Sequence, residues 1–130
     1  MIEMKTRWSD TVDLNCPLPE YPRPQLVRNG WQNLNGRYEY AITGLVDAFP
    51  QKYDGEIIVP FAPECYLSGV NKTIEPDNYL WYRKSFKVND ELKNKNIILH
   101  FGAVDYETTV YINGKKAGYH KGGYSSFKFD

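Results

Sequence analysis

Glu64, Asp105 and Glu107 are the carboxylates whose neighbourhoods in this sequence invite acid–base chemistry. Acid–base catalysis by carboxyl groups needs a pair held on rigid elements around one cleft, one to give a proton and one to take it. Glu64 lies between Pro63 and Cys65 in a long irregular stretch, and carboxylates in loops more often are solvated or cap a turn. Asp105 follows an apolar run in Gly102-Ala103-Val104-Asp105, where an aspartate bonding its own backbone in a turn is the simpler reading.

His100 sits mid-strand beside Phe101, a place for a structural histidine rather than a base. His120 precedes Lys121-Gly122-Gly123-Tyr124, a glycine-bearing turn in which a sugar could meet both an imidazole and the aromatic face of Tyr124. Glycines in such a turn first serve backbone geometry, and that competes with a binding role. Substrate contacts are therefore expected, if anywhere, from His120, Tyr124, Glu64 and Asp105. No spacing links the histidines to each other or to Cys16 and Cys65 as metal ligands, so no metal and no cofactor is expected. Gly122-Gly123 precedes a strand rather than a helix, which excludes a phosphate loop. Trp8, Trp31, Trp81 and the tyrosines could stack on sugar rings, but Tyr82 and Phe86 at strand spacing read as core.

The elements that must position these residues are strands. Tyr38, Tyr40 and Ile42 share one face of a strand from about 36 to 42, with Arg37, Glu39 and Ala41 on the other. Glu56-Ile57-Ile58-Val59 reads as a short buried strand halted by Pro60. The stretch from Phe61 to Asn78 is a long irregular connection, of the kind that carries function. Leu80 to Val88 alternates, with Lys84 breaking the pattern, and Ile97 to Phe101 is dense enough in β-formers for a central strand. Glu107 to Ile112 runs into Asn113-Gly114, the strongest short-range hairpin signal, with Lys115 to His120 returning. A last alternating piece spans Ser125 to Asp130, and Asn89 to Lys93 has room for one helical turn.

Ahead of the strands, Pro17, Pro19, Pro22 and Pro24 exclude a helix or central strand. Residues 1–35 are either a disordered tail or an extended Pro-rich arm. Trp8, Leu18, Tyr21, Leu26, Val27 and Trp31 favour the arm. A domain over 36–130 follows.

At 130 residues there is room for one domain; 42% apolar with 25% charged residues argues against disorder, and apolar stretches of only a few residues argue against membrane spanning. Eleven Tyr, six Phe and three Trp tilt the chain towards strand. Sixteen basic residues balance sixteen acidic ones, so a nucleic-acid partner is not expected. No secretory leader follows Met1, which points to the cytoplasm, and two cysteines without a CxxC imply free thiols.

Several short words in a fixed order carry a resemblance. They are Pro22-Arg23-Pro24-Gln25, Trp31-Gln32-Asn33-Leu34-Asn35-Gly36, Ile58-Val59-Pro60-Phe61-Ala62-Pro63-Glu64-Cys65 with Leu67-Ser68-Gly69, and Trp81-Tyr82-Arg83. Phe101-Gly102-Ala103-Val104-Asp105-Tyr106, Asn113-Gly114 and His120-Lys121-Gly122-Gly123-Tyr124 to Phe127 complete them. From about Pro22 to Asp130 the chain resembles the N-terminal sugar-binding domain of family 2 glycoside hydrolases, the β-galactosidase and β-glucuronidase group. Cys65 stands where the family commonly has Ser, and Arg37-Tyr38 where Trp is common.

The resemblance implies an all-β jelly-roll β-sandwich like the galactose-binding domain. It also implies two domains as partners, an immunoglobulin-like sandwich and a TIM barrel. The barrel supplies both catalytic glutamates for retaining hydrolysis of β-glycosides. The family's acid/base glutamate follows an asparagine, and this chain has no Asn-Glu pair, so no catalytic residue is expected within it. Some β-galactosidases of the family place a substrate-contacting Asp near the position of Gly122, a contact that glycine removes. The family continues beyond the point matching Asp130 with further strands, so the sandwich is expected to be incomplete at that end, with unpaired edges. The expected function is a sugar-binding and structural domain, inactive alone, of a β-galactosidase-like enzyme. A stand-alone carbohydrate-binding module is the alternative, and an independent hydrolase using Glu64 and Asp105 comes third.

Overall fold

The computed structural model describes residues 5–46 and 48–130. Seven strands and four short 3-10 turns make up the regular structure among them, every strand pairing is antiparallel, and no α-helix occurs. The all-β class expected from the alternation is what the chain adopts. The chain forms two compact units, one ending at Lys87 and one covering Val88–Asp130.

In the first unit β1 (Gly36–Gly44) lies between β2 (Gly55–Val59) and β3 (Asn78–Arg83). Tyr38 stands opposite Ile57, and Ile42 opposite Leu80. The Tyr38, Tyr40, Ile42 face therefore gathers against Ile57, Val70 and Leu80 as the unit's core, with Ile57 wholly buried. The opposite face is wet at one end only. There Arg37 pairs with Glu56 at 3.0 Å, and Arg83 grips Glu39 through two nitrogens at 2.6 and 2.8 Å. At the other end Ala41 is buried opposite Trp81, whose indole nitrogen donates to Thr43 at 2.8 Å. Ile58 is buried too, so β2 is covered on both faces, as its continuous apolar run anticipates.

β3 stops at Arg83 instead of reaching Val88. Lys84 turns back, donating to the carbonyls of Asn35 and Arg37 at 3.4 and 3.2 Å and lying 4.6 Å over the Tyr38 ring. Partial burial pulls its ammonium below the usual lysine value. Beyond it Phe86 is 46% exposed, and Tyr82 keeps 42% of its surface exposed, which corrects the expectation that both lie in the core.

The long connection after β2 is ordered by Ser68, which is completely buried. Its hydroxyl lies within donating distance of the Cys65 and Pro63 carbonyls at 2.8 and 3.1 Å and accepts from the Val70 amide at 3.0 Å. That set of bonds delivers Val70 to the core. The N-terminal segment is tied down as well. Asn35 donates to the Pro17 carbonyl at 3.0 Å, Asn33 to the Leu18 carbonyl at 3.1 Å, and Tyr21 meets Trp31 edge to face at 4.8 Å. Gly36 enters β1 with φ +112°, and a Cβ there would overlap the Asn15 carbonyl oxygen. Cys16 and Cys65 are free thiols.

The second unit contains β4 (Leu99–Phe101), β5 (Glu107–Ile112), β6 (Lys115–Lys121) and β7 (Phe127–Phe129). β5 and β6 form the hairpin foreseen at Asn113-Gly114, both residues having positive φ, 50° and 77°. The register slips between Val110 and Tyr111, so Ala117 is the extra residue of a bulge. Phe129 covers β6 so closely that a Cβ on Gly118 would sit 2.6 Å from its ring Cδ1. β4 pairs with β7 alone among the described residues, and Ile97 and Ile98 are 46% and 44% exposed. The central strand expected at 97–101 is thus a three-residue strand paired on one side. The single turn foreseen near Asn89 is the 3-10 turn Asp90–Leu92.

Candidate functional site

The second unit brings three of the four singled-out residues into one neighbourhood. The end of β6 carries His120, the following turn carries Gly122, Gly123 and Tyr124, and the turn before β5 carries Asp105. These turns are joined by the Gly122 amide, which donates to the Tyr106 carbonyl at 2.8 Å. Gly123 packs on Asp105 so tightly that a Cβ there would lie 2.5 Å from Oδ1 and 3.0 Å from the carboxyl carbon. Gly123 therefore lets backbone approach a carboxylate, a packing demand that the sequence shows only as an absence of side chain.

His120 is half-buried. Its ring stacks on Phe127 at 4.1 Å and 13°, and Phe127 stacks in turn on Phe101 at 4.8 Å and 10°. One imidazole face is thus occupied by the protein, and the edge bearing Nε2 lies 3.3 Å from the Ser125 hydroxyl. Tyr124, by contrast, is wholly exposed at 104% of its reference surface, an aromatic plane free on both sides. The arrangement offers what sugar recognition uses: an exposed ring for the apolar C–H face, with an imidazole, a hydroxyl and a carboxylate nearby for hydroxyl groups. Ser125 and Phe127 were not singled out as site residues from the sequence. A serine five positions after a histidine across Gly-Gly was the available signal.

Glu107 has a different task. Its carboxylate pairs with Lys121 at 2.5 Å, and hydrogen bonds from Lys121 first and Tyr119 second hold it below the usual carboxylate range. A general acid needs the opposite shift. Lys121 also lies 5.3 Å over the Tyr106 ring, and its ammonium is raised by the bond to Glu107.

Glu64 belongs to the first unit, in the connection ordered by Ser68. Desolvation, with the Glu64 carboxylate second, pushes the Tyr82 phenol up to about 12. His100 lies exposed on β4, opposite Lys128. A pocket of about 370 Å³ is lined by residues of the segment 11–20 and includes none of the four. No cluster of three or more His, Cys, Asp or Glu with metal-binding geometry occurs among the described residues. No helix among them is long and apolar enough to cross a membrane.

The chain is an antiparallel all-β domain with exposed aromatic and polar groups on its turns. Residues 49–130 match the family model described as "Glycosyl hydrolases family 2, sugar binding domain", and the chain belongs to that family. It is 34% identical over 102 residues to a beta-galactosidase of Thermoanaerobacter pseudethanolicus, a match covering 75% of this chain and 14% of that protein. A beta-galactosidase of Bacteroides ovatus is 29% identical over 108 residues, covering 83% of this chain and 11% of the relative. A putative beta-glucuronidase of Formosa agariphila is 42% identical over 50 residues, covering 38% and 6%. The chain therefore spans only a small part, 5–14%, of the curated relatives it matches.

Proposed function

We propose that this chain is the N-terminal sugar-binding and structural domain of a cytoplasmic β-galactosidase-like enzyme that hydrolyses terminal β-glycosides. The observation that carries the galactosidase reading is the extent of the matches. The two beta-galactosidases align over 75% and 83% of this chain, whereas the glucuronidases align over 37–39%. In this reading both catalytic carboxyls belong to a TIM barrel of the parent protein, with an immunoglobulin-like domain beside it. Residues 1–35 act as an extended arm and 36–130 as the jelly-roll domain.

The turn at 120–125 then contributes to the rim of the sugar pocket. Tyr124 stacks on a sugar ring, while His120 and Asp105 meet its hydroxyls. Glu64, on the connection after β2 in the first unit, is a sugar contact proposed by itself.

The test is a titration of the chain with methyl β-galactoside followed by NMR, together with an assay on a chromogenic β-galactoside. Weak binding that perturbs Tyr124 and His120 signals, without turnover, is the expected result. Turnover by the chain alone would sink the reading. The wholly exposed Tyr124 also favours a second reading, a carbohydrate-binding module acting alone, and micromolar binding without hydrolysis would select it.

A further inference from the structure

Two buried side-chain atoms have no hydrogen-bond partner among the described residues: Oγ1 of Thr108 and Nδ1 of His120. They belong to residues that stand directly opposite each other in the β5–β6 register. Directly opposed side chains share a face, with Cβ atoms about 4.5–5.5 Å apart, which a hydroxyl and an imidazole edge can bridge. Burying a polar atom unmet is costly, and here each of the two orphaned groups is what the other lacks.

The imidazole is already fixed from two other sides. Phe127 covers one face at 4.1 Å, and Ser125 Oγ lies 3.3 Å from Nε2.

We propose that Thr108 is a positioning residue for His120. Its hydroxyl donates to Nδ1 and holds the neutral ring as the Nε2–H tautomer, with Nε2–H donating to Ser125. The direction follows from what each group can satisfy. Were Nδ1 to carry the proton, the buried Thr108 hydroxyl could accept it, but its own hydrogen would find no acceptor. Ser125 is exposed, so its hydroxyl can accept from Nε2 and still donate to solvent. An unmet lone pair is better tolerated in a protein interior than an unmet donor.

The consequence reaches the turn. His120 then presents a hydrogen-bond donor, not an acceptor, towards the side occupied by Ser125, and selects an oxygen that can accept. For a sugar hydroxyl this role rests on the function proposed above, whereas the tautomer does not.

Long-range ¹H–¹⁵N correlation on the sugar-free 130-residue chain at about pH 8, where an ordinary imidazole is neutral, reads the tautomer directly. The wild type is expected to show Nε2–H. Thr108→Val keeps the β-branched shape, removes the hydroxyl and is expected to give a tautomer mixture, which Thr108→Ser restores. An Nδ1–H ring in the wild type overturns the proposal without any variant. So does an Nε2–H ring that survives unchanged in Thr108→Val. Failure of the chain to bind methyl β-galactoside leaves this result standing and counts against the sugar reading alone.

Discussion

Glu107 shows how single side chains set behaviour at the surface. Its carboxyl is held below the ordinary value of 4.5 by Lys121 and Tyr119, so its contribution is complete above that value and is lost as pH falls through the lowered folded one. The stability gap between wild type and Glu107→Gln, read from urea midpoints, is therefore expected to be widest near neutrality and to close on acidification. A gap constant from about pH 7 to 3 would remove Lys121 as the cause. Sterics act at the same scale. Gly118→Ala drives a methyl group into the Phe129 ring and is expected to cost about 1–3 kcal/mol. Gly102→Ala, with nothing within 4 Å of the added carbon, should stay within about 0.5 kcal/mol in the same denaturation experiment. The sequence displayed these two glycines alike, because the ring that separates them arrives from another strand.

At the scale of elements, local signals were legible and long-range ones were not. Asn113-Gly114 encodes its hairpin within the turn itself, and alternation in Tyr38, Tyr40, Ile42 needs only β1 to show which face is apolar. The extent of β3 depends instead on where Lys84 finds carbonyls, and those belong to Asn35 and Arg37, far away in sequence. The candidate site divides in the same way. His120, Gly122, Gly123 and Tyr124 are adjacent in the chain and could be read together, whereas the approach of Asp105 to Gly123 and the pairing of Thr108 with His120 come from strand register. The connection after β2 offers a direct test of an element held by one side chain. Ser68→Ala strands the buried Val70 amide and is expected to cost about 1–3 kcal/mol, seen as a lowered urea midpoint and faster exchange of that amide. An unchanged midpoint would mean that the connection is held by other contacts.

For the whole molecule, the distribution of buried apolar groups predicts unequal stability. Tyr40, Ala41, Ile57, Ile58 and Val70 are buried in the first unit, while Val110 is the buried apolar residue of the second among those described. Native-state hydrogen exchange should find its slowest amides in the centre of β1 and its fastest strand amides in β4 and β7, by at least tenfold. Equal protection throughout would show that the two units open together.

The contact of Gly36 with the Asn15 carbonyl reads differently when the gene is considered instead of the fold. Every other encoded amino acid carries the carbon for which there is no space, so any missense change in that codon injures β1, whatever its chemistry. Gly44, at the far end of the same strand, has nothing within 4 Å and imposes no such veto. In a saturation library selected for folded protein, codon 36 is expected to remain monomorphic while codon 44 drifts, so two identical letters bounding one strand carry opposite mutational tolerance.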